Sequence, residues 1–157
     1  MGEMPDVGAK APDFHLESDG GGKAKLANFK GRKLVLYFYP KDDTAGCTTE
    51  ALDFTGLARD FGKAGAVVVG VSPDPAKKHD SFKAKHGLAV VLLSDESKAT
   101  LEAYGVWKEK SMYGRKYMGV ERTTFLIDGK GVVRAVWPKV KVAGHAAAVL
   151  EAAKALG

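Results

Sequence analysis

The chain has 157 residues, of which 45% are hydrophobic and 27% are charged. This balance is typical of a soluble globular protein and argues against disorder. At this length roughly 70% of the unfolded surface can be buried, so we expect a single domain over residues 1–157. The net charge of +5 is mild, and the basic residues are mostly scattered without a nucleic-acid-binding module, which predicts no nucleic-acid partner.

Membrane and metal functions are also disfavoured. No apolar run approaches the roughly 18 residues of a membrane span, and Met1 to Lys10 has neither a basic nor an apolar leader region. We therefore predict a cytoplasmic protein without membrane contact. The histidines lack metal-ligand spacing with the cysteine or the carboxylates, so no metal or cofactor is predicted, and they are interpreted as surface or packing residues: His15, His79, His86 and His145.

The first half of the chain begins with a turn-rich region up to Arg32, in which Gly20 to Gly22 predict a hairpin tip around Asp19. An apolar run of strand length then starts at Leu34 and breaks at Pro40. From Thr48 to about Phe61 the apolar residues have helical spacing. Cys47, the only cysteine, therefore lies where a strand passes into a helix.

Two more pairs of strand and helix follow. Each apolar run is succeeded by a helical pattern, the first polar and largely exposed, the second short with Ser94 or Asp95 as its N-cap. The predicted bounds are Ala66 to Val71 with Ala76 to His86, and Leu88 to Leu93 with Glu96 to Tyr104. This alternation predicts βαβ units and a largely parallel sheet covered by helices.

The last third of the chain changes pattern. Thr123 to Ile127 and Val132 to Trp137 are strand-like runs joined by a turn that begins Asp128-Gly129, which predicts an antiparallel hairpin. An alanine-rich helix from Gly144 to Leu156 ends the chain. The elements predict an α/β protein of thioredoxin-like fold, with a central mixed sheet flanked by helices and an N-terminal hairpin extension. A flavodoxin-like sheet remains possible from periodicity alone.

The cysteine itself has a chemically favourable position. A thiol reacts as thiolate, and the free N–H groups at a helix start favour that anion. Gly46 leaves room for a ligand, Thr44 places a hydroxyl within reach of the sulfur or its substrate, and Pro40 offers a compact apolar wall. The ordinary alternatives are a buried small hydrophobe for Cys47, a cap for Thr44 and a strand stop for Pro40. Their combined spacing favours a reactive site.

The spacing Pro40-x-x-x-Thr44-x-x-Cys47 matches the active-site motif of the peroxiredoxins. The residues around it, Phe38-Tyr39-Pro40-Lys41 and Gly46-Cys47-Thr48, resemble the bacterioferritin comigratory protein, or Q-type, subfamily. The resemblance covers nearly the whole chain, including Gly8-x-x-Ala11-Pro12-Asp13-Phe14, Gly70-Val71-Ser72-Pro73-Asp74, Leu92-Leu93-Ser94-Asp95, Tyr104-Gly105-Val106-Trp107 and Arg122-Thr123-Thr124-Phe125-Leu126-Ile127-Asp128.

This resemblance implies a thiol-dependent peroxidase that reduces hydrogen peroxide or organic hydroperoxides. Cys47 would be the peroxidatic nucleophile, and Pro40, Thr44 and Arg122 would complete the site. A permanently charged guanidinium suits the role of Arg122, because it can stabilise the thiolate and polarise the peroxide oxygen under attack. We expect a monomer or weak dimer.

The chain departs from many relatives at the resolving cysteine. The position five residues after Cys47 is Leu52, and Ala76 to His86 contains no cysteine. The resemblance therefore implies a single-cysteine mechanism in which thioredoxin, glutaredoxin or glutathione reduces the sulfenic acid through a mixed disulfide. A smaller departure is Ala45, where the family commonly has proline.

Two other functions are weighed against the peroxidase. A thioredoxin-type disulfide reductase is disfavoured because Cys47-Thr48-Thr49-Glu50 lacks a second cysteine. A non-enzymatic peroxide sensor or redox-regulated binding module would form the same sulfenic acid, and only turnover distinguishes it. Adjacent acids at Asp42 and Asp43 are interpreted as solvated loop residues. The segment containing Met112, Tyr113, Tyr117 and Met118 is interpreted as a loop that borders the substrate entrance or forms a surface flap.

Overall fold

A computed structural model describes residues 3–157, so the leader prediction, where it concerns Met1 and Gly2, lies outside the described residues. The elements, in chain order, are β1 (His15–Ser18), β2 (Lys23–Lys25), β3 (Lys33–Phe38), α1 (Ala45–Gly56), α2 (Ala58–Lys63), β4 (Ala66–Ser72), α3 (Ala76–His86), β5 (Val91–Ser94), α4 (Ala99–Ala103), β6 (Trp107–Met112), β7 (Arg115–Val120), β8 (Thr123–Ile127), β9 (Val133–Trp137) and α5 (His145–Ala155). None of the helices within residues 3–157 is long and apolar enough to cross a membrane.

Seven strands form one mixed sheet in the order β2-β1-β5-β4-β3-β8-β9. The neighbours β3 and β4 are parallel, as are β4 and β5, whereas β8 runs antiparallel to both β3 and β9. The N-terminal hairpin of β1 and β2 joins the sheet by antiparallel pairing of β1 with β5. The predicted change from parallel units to an antiparallel hairpin is therefore confirmed.

Strand β3 lies near the centre of the sheet and divides its side chains between two cores. Residues Leu34 to Phe38 are all buried, as expected for a strand covered on both faces. Val35 and Tyr37 contribute to the core that contains Cys47 and the buried residues of α1 and α5, whereas Leu34, Leu36 and Phe38 contribute to the opposite core. Cys47 thus lies on the face of the sheet towards which Val35 and Tyr37 point.

Two predictions about helices differ from the structure. The helix near Cys47 begins at Ala45 and ends at Gly56, and a separate helix α2 starts at Ala58, so the single helix predicted to Phe61 is wrong. Helix α4 has Lys98 as its N-cap, in a left-handed conformation with φ of 67°, and neither Ser94 nor Asp95 takes that position. Asp95 instead accepts a hydrogen bond from the Leu101 amide inside the helix.

The predicted loop before Arg122 is a regular two-stranded hairpin of β6 and β7. Sequence periodicity missed it because only its base is buried. Val120 is 1% exposed, whereas Met112, Tyr113, Tyr117 and Met118 are all among the exposed large side chains. The hairpin leads directly into β8 and so carries the chain to Arg122.

Candidate active site

Cys47 is the third residue of α1 and is only 2% exposed. The first amide bonded within this helix is that of Thr48, which donates to the Thr44 carbonyl at 2.9 Å. The amides of Ala45, Gly46 and Cys47 precede that bond and therefore have no intrahelical acceptor. Cys47 thus lies among the free N–H groups of a helix start, as predicted, although inside the first turn and not before it.

Arg122 reaches the sulfur from a distant part of the chain. Its Nη2 donates to Cys47 Sγ at 3.3 Å across a separation of 75 residues. Antiparallel pairing of β3 and β8 explains this approach, because Thr123 pairs with Phe38 and the residue before β8 therefore lies beside the end of β3. The predicted cation and the predicted nucleophile are in contact.

Glu50 is a member of the site that sequence reasoning missed. Its Oε1 accepts a hydrogen bond from Arg122 Nη1 at 2.7 Å, and its side chain is 1% exposed. Burial raises the pKa of Glu50 to about 7, against the opposing effect of Arg122. A signal was present, because Glu50 follows Cys47 by three residues and so shares its helix face with Cys47.

The charge on Arg122 is secured by these neighbours. Burial works against the charged form, but the Glu50 and Cys47 side chains raise the pKa of Arg122 above its usual value. Gly46 makes the arrangement possible, since a Cβ there would lie 3.2 Å from Arg122 Nη2. The guanidinium thus remains cationic with one nitrogen directed at each acidic partner.

Thr44 and Pro40 lie on the segment that joins β3 to α1. Thr44 is the N-cap residue of α1, and its hydroxyl donates to the Lys41 carbonyl at 2.8 Å, so its remaining lone pairs are free to accept. The hydroxyl proton is therefore directed at Lys41, whereas the sequence predicts the sulfur or the substrate as the partner of this hydroxyl. Pro40 is half-buried directly after β3, where the strand has already ended at Phe38. Both residues therefore share the short segment that precedes Cys47.

The interpretation of one polar residue is corrected by burial. Asp42 was expected to be solvated, but it is 2% exposed and accepts hydrogen bonds from Tyr39 and His79. The helix predicted to be largely exposed, α3, supplies that buried histidine, which is 0% exposed. A short-range pattern cannot show the contact between Asp42 and His79, because the two residues are 37 positions apart in the chain.

His145 has a buried position close to Arg122. Its Nε2 lies 2.8 Å from the Thr124 hydroxyl, and its ring packs edge-on against Phe54 and Trp137. Burial lowers the pKa of His145 to about 4, and the positive charge of Arg122 acts in the same direction. This histidine is therefore neutral near pH 7, and Arg122 supplies the positive charge next to Cys47.

Known proteins are similar to this chain in both sequence and fold. The model of the AhpC/TSA family matches residues 7–136. Peroxiredoxin Bcp of Bacillus subtilis is 50% identical over 149 residues, which covers 95% of each chain, and that of Xanthomonas campestris is 53% identical over 143 residues, 91% of this chain and 89% of its relative. The chain belongs to the AhpC/TSA family, in its Bcp or Q-type peroxiredoxin branch.

Solved peroxiredoxins confirm the fold. A cysteine-to-serine variant of peroxiredoxin Q from Xylella fastidiosa superimposes with a TM-score of 0.93 at 40% identity, covering 99% of each chain. A peroxiredoxin Q structure from X. campestris has a TM-score of 0.91 at 49% identity over 100% of both chains. The predicted thioredoxin-like fold is confirmed, and family membership makes the chain a thiol-dependent peroxidase.

The cysteine content separates this peroxiredoxin from one of those relatives. Solved variants of the X. campestris protein carry serine in place of cysteine at two different positions, so that protein has at least two cysteines. The present chain has one. The predicted single-cysteine character therefore holds, and an intrachain disulfide is impossible.

Proposed function

We propose that this peroxiredoxin reduces hydrogen peroxide and alkyl hydroperoxides through Cys47 and that an external thiol completes the cycle. The carrying observation is the contact between Arg122 Nη2 and Cys47 Sγ at 3.3 Å, in a chain with no other cysteine. A structure of the X. campestris relative bears on its alkyl peroxide reduction activity, which supports the wider substrate range.

The first step is a displacement at oxygen. The Cys47 thiolate attacks one peroxide oxygen, the O–O bond breaks, and the other oxygen leaves as hydroxide or alkoxide and is protonated to water or alcohol. The products are a Cys47 sulfenic acid and the reduced peroxide. In this proposal Arg122 and the free amides at the start of α1 stabilise charge on the reacting oxygens, and the Thr44 hydroxyl orients them.

The second step uses a thiol from outside the chain. A thiolate of thioredoxin, glutaredoxin or glutathione attacks the sulfenic sulfur and expels hydroxide, which is protonated to water, giving a mixed disulfide. A second thiol then releases Cys47 and takes up the disulfide. The chain itself supplies no second sulfur for either exchange, because Cys47 is its only cysteine.

The test follows mass and turnover in the same protein. Reduced protein treated with one equivalent of hydrogen peroxide should gain one oxygen at Cys47, and a supplied thiol should restore the original mass and sustain peroxide loss. Cys47→Ser should abolish peroxide loss. Wild-type rates in Cys47→Ser would contradict the proposal, and consumption of one equivalent without turnover under any of the three thiols would indicate a sensor instead.

A further inference from the structure

A buried histidine holds the segment that precedes the reactive cysteine. His79 lies in α3 and is 0% exposed, with Nδ1 2.5 Å from Asp42 Oδ2 and Nε2 2.9 Å from the Leu93 carbonyl oxygen. Helix α3, strand β5 and the segment Pro40 to Thr44 therefore meet at one side chain. Neither step of the peroxide chemistry above uses this residue.

The partners of His79 determine where its protons lie. The Leu93 carbonyl can only accept, so Nε2 carries a hydrogen. Asp42 already accepts at Oδ1 from the Tyr39 hydroxyl at 2.5 Å, and its other oxygen, Oδ2, faces Nδ1. Burial disfavours a charged imidazole, but the Asp42 hydrogen bond and charge raise the pKa of His79. The geometry describes a hydrogen-bonded pair of His79 and Asp42 inside the protein.

Asp42 connects this pair to the active site. Its backbone N–H donates to Asp74 Oδ2 at 2.7 Å, so both its main chain and its side chain are held. The residue before it, Lys41, offers the carbonyl that receives the Thr44 hydroxyl. Thr44 caps the helix in which Cys47 is the third residue. A displacement of Asp42 would therefore move the Lys41 carbonyl and, with it, the Thr44 hydroxyl.

The next residue of the segment is held differently. Asp43 pairs with Lys85 Nζ at 2.7 Å and with His86 Nε2 at 2.8 Å, and its side chain is 40% exposed. Exposed ion pairs contribute little, because water competes for both partners. The buried pair of His79 and Asp42 has no such competitor, so it supplies the directional restraint.

We propose that His79 is a positioning residue for the peroxidase site, acting through Asp42 to hold Pro40 to Thr44 in register with Cys47. This role rests on the proposed function, since it assumes that Cys47 attacks the peroxide. In this role His79 affects how the peroxide is aligned with Cys47 and leaves the intrinsic reactivity of the sulfur unchanged. A simple packing role for His79 would not make that distinction.

Two substitutions separate the two hydrogen bonds. His79→Asn places an amide N–H near the position of Nδ1 and keeps a donor for Asp42. His79→Gln reaches towards Leu93 and leaves Asp42 without its donor. The rate of peroxide reaction should fall about tenfold to a hundredfold in His79→Gln, as for a displacement near 1 Å, and stay within about threefold in His79→Asn. His86→Gln, on the same helix, should match the wild type.

The second readout is alkylation of Cys47 by iodoacetamide, which needs no alignment of a peroxide. The alkylation rate in His79→Gln should stay within about threefold of the wild type. The ratio of the peroxide rate to the alkylation rate should therefore fall about as much as the peroxide rate itself. Loss of folding would expose Cys47, which is 2% exposed in the structure, and so would take the alkylation rate outside that threefold range. Equal ratios in His79→Gln and His79→Asn would overturn the proposal.

A further variant covers the case in which His79→Gln does not fold. Asp42→Asn leaves one oxygen to accept from either Tyr39 or His79, and the same ratio should fall about tenfold. A folded Asp42→Asn with a wild-type ratio would also overturn the proposal. Failure of the underlying function has a separate signature, because wild-type Cys47 would then gain no oxygen from peroxide.

Discussion

Arg122 binds two acidic groups with two different nitrogens. Nη1 is 2.7 Å from Glu50 Oε1 and Nη2 is 3.3 Å from Cys47 Sγ. A guanidinium can do this because its donors form a rigid planar fork, whereas a lysine ammonium is a point charge on a flexible stem. Glu50 therefore directs the second nitrogen of Arg122 at the sulfur, so the geometry of the cation matters as well as its charge.

Replacing Arg122 by lysine tests that geometry. Arg122→Lys keeps a positive charge but loses one arm of the fork, so we expect the rate of peroxide reaction to fall about a hundredfold, as when an oriented donor to a developing charge is removed. Stopped-flow measurement of the first turnover gives this rate. Arg134→Lys is the control, because Arg134 pairs with Asp128 on the surface. A loss below threefold in Arg122→Lys would show that charge alone suffices.

At the scale of elements, the start of α1 contains a glycine that lowers the stability of the helix but leaves space for the Arg122 side chain. Gly46 lies in the first turn, where its φ is not in the left-handed region, so alanine would fit the backbone. Glycine in a helix costs up to about 1 kcal/mol relative to alanine. The space above it is occupied by Arg122 Nη2, which a Cβ would approach to 3.2 Å. Glycine thus leaves Arg122 free to reach Cys47.

The prediction for Gly46→Ala combines a gain and a loss. The free energy of unfolding should rise by up to about 1 kcal/mol, while the peroxide rate should fall about tenfold because Arg122 must shift by a few tenths of an ångström. Urea denaturation and stopped-flow kinetics measure the two effects. Gly56→Ala, at the other end of α1 with no atom within 4 Å of the added Cβ, should keep the wild-type rate. An unchanged rate in Gly46→Ala would contradict the steric argument.

The sequence predicts the parts of the site that depend on neighbouring residues better than those that depend on residues distant in the chain. Cys47 at a helix start could be read from adjacent residues, and α3 was predicted with its observed bounds, Ala76–His86. The role of Arg122 needed the family resemblance, because only the pairing of β3 with β8 brings it near the sulfur. Glu50 and His79 were missed, since each is a buried titratable residue whose partner is distant in the chain. Sequence periodicity reports burial for apolar residues and gives no signal for such pairs.

At the scale of the molecule, two buried groups near Arg122 make stability depend on pH in opposite directions. Glu50 has a pKa of about 7 against 4.5 for an unperturbed carboxyl, so the folded state holds more protons between these values and stability is lost as pH rises. The pKa of His145 is about 4 against 6.5, so the unfolded state holds more protons there and stability is lost as pH falls. The two effects offset each other where the windows overlap.

Single substitutions should reveal these two opposite dependences of the unfolding free energy on pH. Relative to Glu50→Gln, the wild type should lose up to about 3 kcal/mol of unfolding free energy between pH 4.5 and pH 7, since each pKa unit corresponds to about 1.4 kcal/mol. Relative to His145→Gln, which keeps an amide for Thr124, the wild type should lose stability as pH falls from 6.5 to 4. Urea denaturation followed by far-UV circular dichroism measures both differences. The control is Glu151→Gln, at a side chain that is 74% exposed, and its unfolding free energy should change with pH as that of the wild type does. The same pH dependence in Glu50→Gln and the wild type would mean that Glu50 is ionised throughout, because Arg122 outweighs its burial.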